Sequence, residues 1–213
     1  LYTIIQQERT NDFIKTFLKH YEYGGKLPVW ELAANYTGCM IGYHSVPVIV
    51  DAYMKGIRDY DFNLAFEAMK HSSNLNELGL EEYRQFCYIP ANFEHESVSK
   101  NLEYAYDDWC IAQMASDLKK DKDFKEYIQR SQYYKNLFEP ESGFMLGKRG
   151  ARWMKPFDPA EVNFNFTEAN SWQYSFYVPH DISGLAKLHG GYDKLEEKLD
   201  KLYTAVNKTT GRE

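Results

Sequence analysis

Cysteine is scarce: Cys39, Cys87 and Cys110 are the only three in 213 residues. An odd, widely spaced set excludes a disulfide framework and a zinc cluster, and predicts three ordinary, mostly buried thiols. Positive charge is short as well, with 25 Lys and Arg against 31 Asp and Glu, a net charge of −6. No basic stripe is present. Lys119, Lys120 and Lys122 alternate with Asp117, Asp121 and Asp123, the pattern of a solvated face. Neither nucleic acid nor an anionic membrane surface is therefore an expected partner. No apolar run reaches the ~20 residues of a spanning helix, so no membrane crossing is expected. The opening LYTIIQQERT has neither a basic n-region nor a cleavage site, so no signal peptide is expected within this chain. Also missing are a Ser-His-Asp pattern, a GxGxxG turn and a Walker loop. His95-Glu96 lacks the second His that zinc-protease chemistry requires.

What is present is a 44% apolar chain, enough for one sizeable domain with its own core. Aromatics are abundant: 18 Tyr, 13 Phe and 4 Trp can pack thick helices or line a carbohydrate cleft. Three N-x-[ST] sequons, at Asn35, Asn165 and Asn207, matter only in a eukaryotic secretory context.

The periodicity is helical throughout. Phe13, Ile14, Phe17, Leu18 and Tyr21 share a face over 11–23, with Thr10 or Asn11 as cap and Gly24-Gly25 as stop. Residues 37–57 are apolar nearly all round, apart from His44, Ser45 and Asp51, and predict a helix buried on most sides. Pro47 suits a first turn, so that helix begins near Ser45 or Val46 and leaves His44 on the loop at its mouth. Shorter helices follow over 61–71 and 80–86. The stripe Val98, Leu102, Ala105, Trp109 and Ala112 marks the clearest helix, over 97–118, with Ser97 or Ser99 as cap. Phe124, Tyr127, Ile128, Tyr134 and Phe138 mark another, stopped by Pro140. Residues 139–165 form a long Gly- and Pro-containing loop, and a structureless run of that length in a compact domain is usually functional. Asp181 caps a short helix ending at Gly190-Gly191. A last helix carries Leu195, Leu199, Leu202 and Tyr203, and residues 207–213 are expected to fray. Short helices alternating with broader apolar ones predict an all-α fold of helical hairpins in two layers. A closed α/α toroid fits that pattern; no residue-level repeat supports an open solenoid.

The chain is organised around 166–181, FTEANSWQYSFYVPHD. It holds one carboxylate, Glu168, beside the amides Asn170 and Gln173, the aromatics Trp172, Tyr174, Phe176 and Tyr177, and a Pro179-His180-Asp181 end. Aromatic faces stack on pyranose C–H surfaces, amides bond hydroxyls, and a partly buried carboxyl stays protonated long enough to act as an acid. The alternative is a buried aromatic helix with one capping Glu. Trp172, four residues after Glu168, would share its helical face. Elsewhere, His44 could bond a sugar hydroxyl or merely a neighbouring carbonyl. Of Asp107 and Asp108, a quarter-turn apart, only one could face a site, or else one faces solvent beside core Trp109. Arg149 and Arg152 could clamp a substrate or pin their loop to Asp158.

Several ordered motifs then coincide: TGCMIGYHSVPVIVDAYMKGI; SVSKNLEYAYDDW; Gly-Phe-Met followed by Arg149 and Trp153-x-x-Pro-Phe-Asp-Pro; and FTEANSWQYSFYVPHD with Gly184-Leu185 and Gly190-Gly191. Together they resemble the glycoside hydrolase family 92 α-mannosidases, from the first residues to about Tyr203. The resemblance implies calcium-dependent, inverting, exo-acting chemistry of the α-1,2 type on terminal mannose of mannans or N-glycans, in the periplasm or secreted. It implies an (α/α)6 barrel, of which residues 1–213 are part, following an N-terminal β-sandwich domain. The general acid of the family's Thr-Glu-x-Asn-x-Trp-Gln motif falls on Glu168, and the neighbours Asn170, Trp172, Gln173, His180, Asp181 and His44 are the expected substrate contacts. The base, an Asp in a Gly-Asn-Asp-Asp-Cys-Gly motif, has no match here, nor do the Gly-Asn-Glu-Pro-Ser and Trp-Asp-Thr motifs. The chain is thus expected to be an acid-bearing piece of a larger enzyme, inactive alone and prone to self-association through exposed barrel edges. Calcium, which takes six to eight oxygen ligands, is implied for the intact enzyme, and no residue of this chain is assigned to it. Other classes remain open: a non-catalytic helical carbohydrate-binding or scaffold domain, or another helical-toroid glycosidase or lyase.

Overall fold

The computed structural model describes residues 1–33, 35–205 and 208–211. The first elements are α1 (Tyr2–Ile5), α2 (Gln7–Gly24), β1 (Glu31–Leu32), β2 (Asn35–Tyr36), α3 (Ser45–Met54) and α4 (Phe62–Ser72). Next come α5 (Leu80–Phe86), α6 (Ser97–Asp117), α7 (Asp121–Arg130) and a 3₁₀ turn at Tyr133–Leu137. The strands β3 (Phe138–Glu139), β4 (Phe144–Met145), β5 (Lys148–Arg149), β6 (Arg152–Trp153) and β7 (Glu161–Val162) follow. Then come α8 (Ser171–Tyr174), α9 (Ile182–His189), α10 (Tyr192–Thr204) and β8 (Thr210–Gly211). The class is all-α, as the periodicity predicts; each strand is two residues long.

The chain forms two compact units, residues 1–76 with 107–131 and residues 77–106 with 132–213. In the first, α2, α3 and α4 pack on one another and bury Ile14, Leu18, Ile49, Tyr53, Phe66 and Met69. α2 starts one turn earlier than its apolar stripe, at Gln7, and ends on left-handed Gly25. α3 begins at Ser45 with His44 as its cap, so Pro47 does fall in the first turn, where a missing N–H costs nothing. The Asp61 carboxylate caps α4 by accepting from the Leu64 amide at 2.9 Å. α1 leaves Leu1, Ile4 and Ile5 exposed.

The second unit closes over a core of Val98, Leu102, Tyr134, Leu137, Met145 and Phe166, joined by Val178, Leu185 and Leu195. Here the structure corrects three expectations. The helix predicted through Phe138 stops at Arg130, where the Ser131 hydroxyl bonds the Ile128 carbonyl and satisfies a terminal acceptor. The predicted loop 139–165 contains two antiparallel hairpins, β3 with β4 and β5 with β6. The buried Glu139 carboxylate accepts from the Ser142 amide at 2.8 Å and so turns the first of them. The C-terminal tail does not simply fray, since β8 pairs in parallel with β7, though Asn207 itself lies outside the described residues. Of the thiols, only Cys110 is buried; Cys39 is exposed and Cys87 intermediate.

Candidate active site

The segment 166–181 is not one helix. Only Ser171–Tyr174 is helical, a single turn closed by a capping box. The Asn170 side chain accepts from the Gln173 amide at 3.3 Å, and the Gln173 side chain accepts from the Asn170 amide at 3.1 Å. The amide pair expected to bind sugar is therefore engaged in holding its own turn. Ser171 and Ser175, both buried, reach back to β4: Ser171 donates to the Met145 carbonyl and Ser175 accepts from the Met145 amide, each at 2.8 Å. This fixes the turn against the first hairpin.

Glu168 precedes that turn in the left-handed region, at φ 50°, a conformation that costs a side-chain-bearing residue energy and persists only where its surroundings hold it. The holding groups come from the start of α6. The Ser99 hydroxyl accepts from the Thr167 amide at 2.9 Å. The Asn165 carbonyl accepts from the amides of Val98 at 3.1 Å and Ser99 at 3.4 Å. An orphan end of a helix thus binds the strand of chain that presents the acid. Gly147 completes the packing: a Cβ there would lie 2.8 Å from Asn165 Oδ1.

Glu168 is exposed, not partly buried as expected. It lines a cleft of about 440 Å³ with His95, Glu96, Asn163, Phe164 and Phe166. None of the other residues predicted to contact sugar lines this cleft. Because Glu168 stands outside α8, Trp172 does not share a helical face with it. Its ring packs edge-on against Phe144, centroids 4.6 Å apart, with the Lys198 ammonium 5.1 Å from its centre. His180 packs edge-on to Tyr134 at 5.6 Å. Asp181 caps α9 through the Gly184 amide at 2.8 Å and accepts from the Tyr134 hydroxyl at 2.9 Å. Burial raises its pKa, but those hydrogen bonds and Lys135 outweigh it and leave the carboxyl below its usual range.

His44 belongs to the first unit. Its Nδ1 lies 3.3 Å from Asp107 Oδ1, and its side chain is 39% exposed. Asp107 and Asp108 are both fully buried, against the expectation that one would meet solvent or a site. Tyr43 serves both, through its amide and its hydroxyl, and each has a further partner of its own. Asp107 also accepts from the Tyr43 amide at 2.8 Å. Asp108 takes Arg130 through Nε at 2.8 Å and Nη2 at 3.1 Å, and the Tyr43 hydroxyl at 2.5 Å. Burial pushes the Asp108 carboxyl up to about 6, against the pull of Arg130. This is a structural ion pair at the heart of the first unit. Arg149 and Arg152 face each other across β5 and β6 and are both exposed. Asp158 pairs with neither, accepting instead from Thr210 at 2.7 Å and the Ala160 amide at 2.9 Å.

Among the described residues no group of three or more His, Cys, Asp or Glu side chains converges to hold a metal.

The whole chain, residues 1–213, matches the glycosyl hydrolase family 92 catalytic domain. It belongs to that family. A family GH92 α-mannosidase from Bacteroides thetaiotaomicron, solved with mannoimidazole, is similar at 38% identity and a TM-score of 0.92, over 98% of this chain and 29% of that one. An inverting GH92 mannosidase of the same organism is similar at 37% identity and a TM-score of 0.90, over 94% of this chain and 28% of that one. A protein of Arthroderma benhamiae described as an uncharacterized secreted glycosidase is 26% identical over 90% of this chain and 30% of its own length. The family 92 chain thus spans under a third of the length of these relatives, and its helical hairpins are part of the (α/α)6 barrel of that family. No helix of the described residues is long and apolar enough to cross a membrane.

The residue that the sequence reading passed over is Glu96. The pair His95-Glu96, set aside for want of a second His, lines the same cleft as Glu168. Its place immediately before the serine that opens α6 is the local signal that could have found it.

Proposed function

We propose that this chain carries the general acid of an inverting exo-α-mannosidase that removes terminal α-1,2-linked mannose from mannans or N-glycans, acting in the periplasm or outside the cell. The observation that carries the reading is Glu168, held left-handed at the edge of a cleft walled by aromatic and hydrogen-bonding side chains. Inversion needs an acid on the departing oxygen and a base on the far face, the two carboxyls about 6.5–9.5 Å apart to admit water. Glu168 fills the first role. Its proton passes to the glycosidic oxygen as the bond to the anomeric carbon breaks, so the leaving sugar departs as a neutral alcohol. The base is assigned to a carboxylate outside these 213 residues, and calcium to the intact enzyme, with none of its ligands assigned. When bound, calcium would polarise the sugar's vicinal hydroxyls, and no step described here runs through it.

In this reading Asn170, Trp172, His180 and Asp181 act by holding the acid's segment through caps and ring contacts. Gln173, whose side chain reaches solvent while its oxygen caps the turn, is the one proposed to meet a sugar hydroxyl. Glu168→Gln in the complete gene product tests the assignment. Turnover of a mannose disaccharide should fall by about 10²–10⁴-fold, the usual contribution of general acid catalysis. An activated aryl mannoside, which departs without protonation, should lose far less. Equal losses on both substrates would give Glu168 another role, and no loss on either would remove it from the mechanism.

A further inference from the structure

The sequence carries no long basic stripe, yet the fold gathers cations around one hairpin. Residues 148–155 include Lys148, Arg149, Arg152 and Lys155 and no acid, in a chain of net charge −6. We propose that the tip of the β5–β6 hairpin is an anion site, in which Arg149 and Arg152 together clamp one phosphate group, free or esterified to a glycan. The site stands apart from the Glu168 cleft: residues 149–155 line a hollow of about 780 Å³, and none of them lines that cleft.

The strand register pairs the two arginines. It sets Arg149 directly opposite Arg152, and Lys148 opposite Trp153. Opposite residues of an antiparallel pair share a face, with Cβ atoms about 4.5–5.5 Å apart, and like charges there are destabilising. A bound anion would remove that repulsion. The other two cations are already occupied. The Lys148 ammonium lies 4.0 Å from the ring centre of Trp153 and 5.0 Å from that of Tyr88. The Lys155 ammonium is 3.9 Å from the Glu139 carboxylate. Asp158, the next acid along the chain, accepts from Thr210 and the Ala160 amide instead. Among the described residues no ion pair engages Arg149 or Arg152, and both are exposed.

The backbone of the tip is held in place before any ligand arrives. The Tyr88 hydroxyl donates to the Gly150 carbonyl at 2.8 Å, and the Asn92 side chain accepts from the Gly150 amide at 3.2 Å. The Ala91 amide donates to the Lys148 carbonyl at 2.7 Å. Only the two arginine side chains must therefore be ordered on binding. Each guanidinium is a planar fork of N–H donors that matches two oxygens of a phosphate, and two forks match the charge of a phosphate dianion. A carboxylate, with one charge and two oxygens, is satisfied by a single fork and leaves the other unpaired.

The test uses the complete gene product and measures binding of inorganic phosphate by calorimetry at constant ionic strength. Arg149→Gln and Arg152→Gln should each weaken binding roughly 10- to 100-fold, the scale of a lost charge-assisted hydrogen bond. Lys155→Gln should change it by no more than about threefold, as an exposed charge outside the clamp. Phosphate should raise the Tm of the unsubstituted protein and not that of the double variant. Without phosphate, each single variant should melt no lower than the unsubstituted protein, because it removes a like-charge contact. A second arm separates the sources: a mannan bearing phosphate esters is compared with the same polymer after phosphatase treatment. Tighter binding of the esterified polymer assigns the site to a glycan phosphate; equal binding of the two, with inorganic phosphate still bound, assigns it to the free ion. Either result upholds the phosphate site. No phosphate binding by the unsubstituted protein, unchanged binding in the double variant, equal affinity for acetate, or a Tm loss in the single variants without phosphate overturns it.

Discussion

The Ser99 hydroxyl accepts from the Thr167 amide at 2.9 Å, one residue before Glu168. Ser99 is fully buried, and its own amide is bound by the Asn165 carbonyl, so it ties α6 to the acid's segment at two points. Ser99→Ala should leave the Thr167 amide without that acceptor and loosen the left-handed residue that follows. Displacing a catalytic group by about 1 Å can cost 10²-fold. In the complete gene product, kcat on a mannose disaccharide should fall on the order of 10- to 100-fold with KM little changed, and Ser99→Thr should restore it. A KM effect with normal kcat, or no rescue by Thr, would make Ser99 a packing residue only.

His189 sets a pH limit on the second unit. Its ring packs edge-on to Phe138 at 5.0 Å and stacks on Phe176 at 6.4 Å, and its Nε2 is buried without a hydrogen-bond partner. Burial, and then the Lys198 ammonium, hold its pKa below the ordinary 6.5. The folded value lies under the unfolded one, so the stability this group contributes is present above pH 6.5 and is lost as pH falls through the folded value. Between pH 7 and pH 5 this should lower the Tm of the chain, partly offset by the Asp108 carboxyl, which at about 6 in the folded state takes up a proton on folding over the same window. His189→Phe should flatten that drop. Asp51, Asp181 and Glu139, whose pKa values are lowered, act in a more acidic window, below their ordinary values of 3.8 and 4.5. An equal drop in the variant would assign the acid sensitivity to other groups.

The helices were largely legible because local chemistry marks their ends. α5 and α6 begin where the sequence places them, and Asp181 caps α9 as its position implies. The site was less legible because its geometry is set by distant partners. Nothing local says that Ser171 and Ser175 will bond Met145, some 26–30 residues away, and so limit the helix to one turn. Nor does local sequence say that Ser99 will bind Thr167, 68 residues on, and leave Glu168 exposed in a left-handed turn. The adjacent pair Asp107-Asp108 misled for the same reason. Their partners Tyr43, His44 and Arg130 are remote in sequence, and with them both carboxylates can be buried.

The bonds of Asn165 bear on how the protein is best produced. Its carbonyl binds the Val98 and Ser99 amides, its side chain bonds Asn163 at 3.1 Å, and Gly147 leaves no space beside it. Asn165-Phe166-Thr167 is also an acceptor sequence for N-linked glycans, which in a eukaryotic secretory host are attached to the chain as it emerges, before these contacts exist. A glycan at Asn165 and the packed acid segment exclude one another. Such a host should therefore retain the modified fraction in its quality-control system and export only unmodified copies, whereas a bacterial cytoplasm avoids the conflict. Intact-mass analysis of exported, folded protein should find Asn165 bare; full occupancy there would mean that this region tolerates far more displacement than its packing implies.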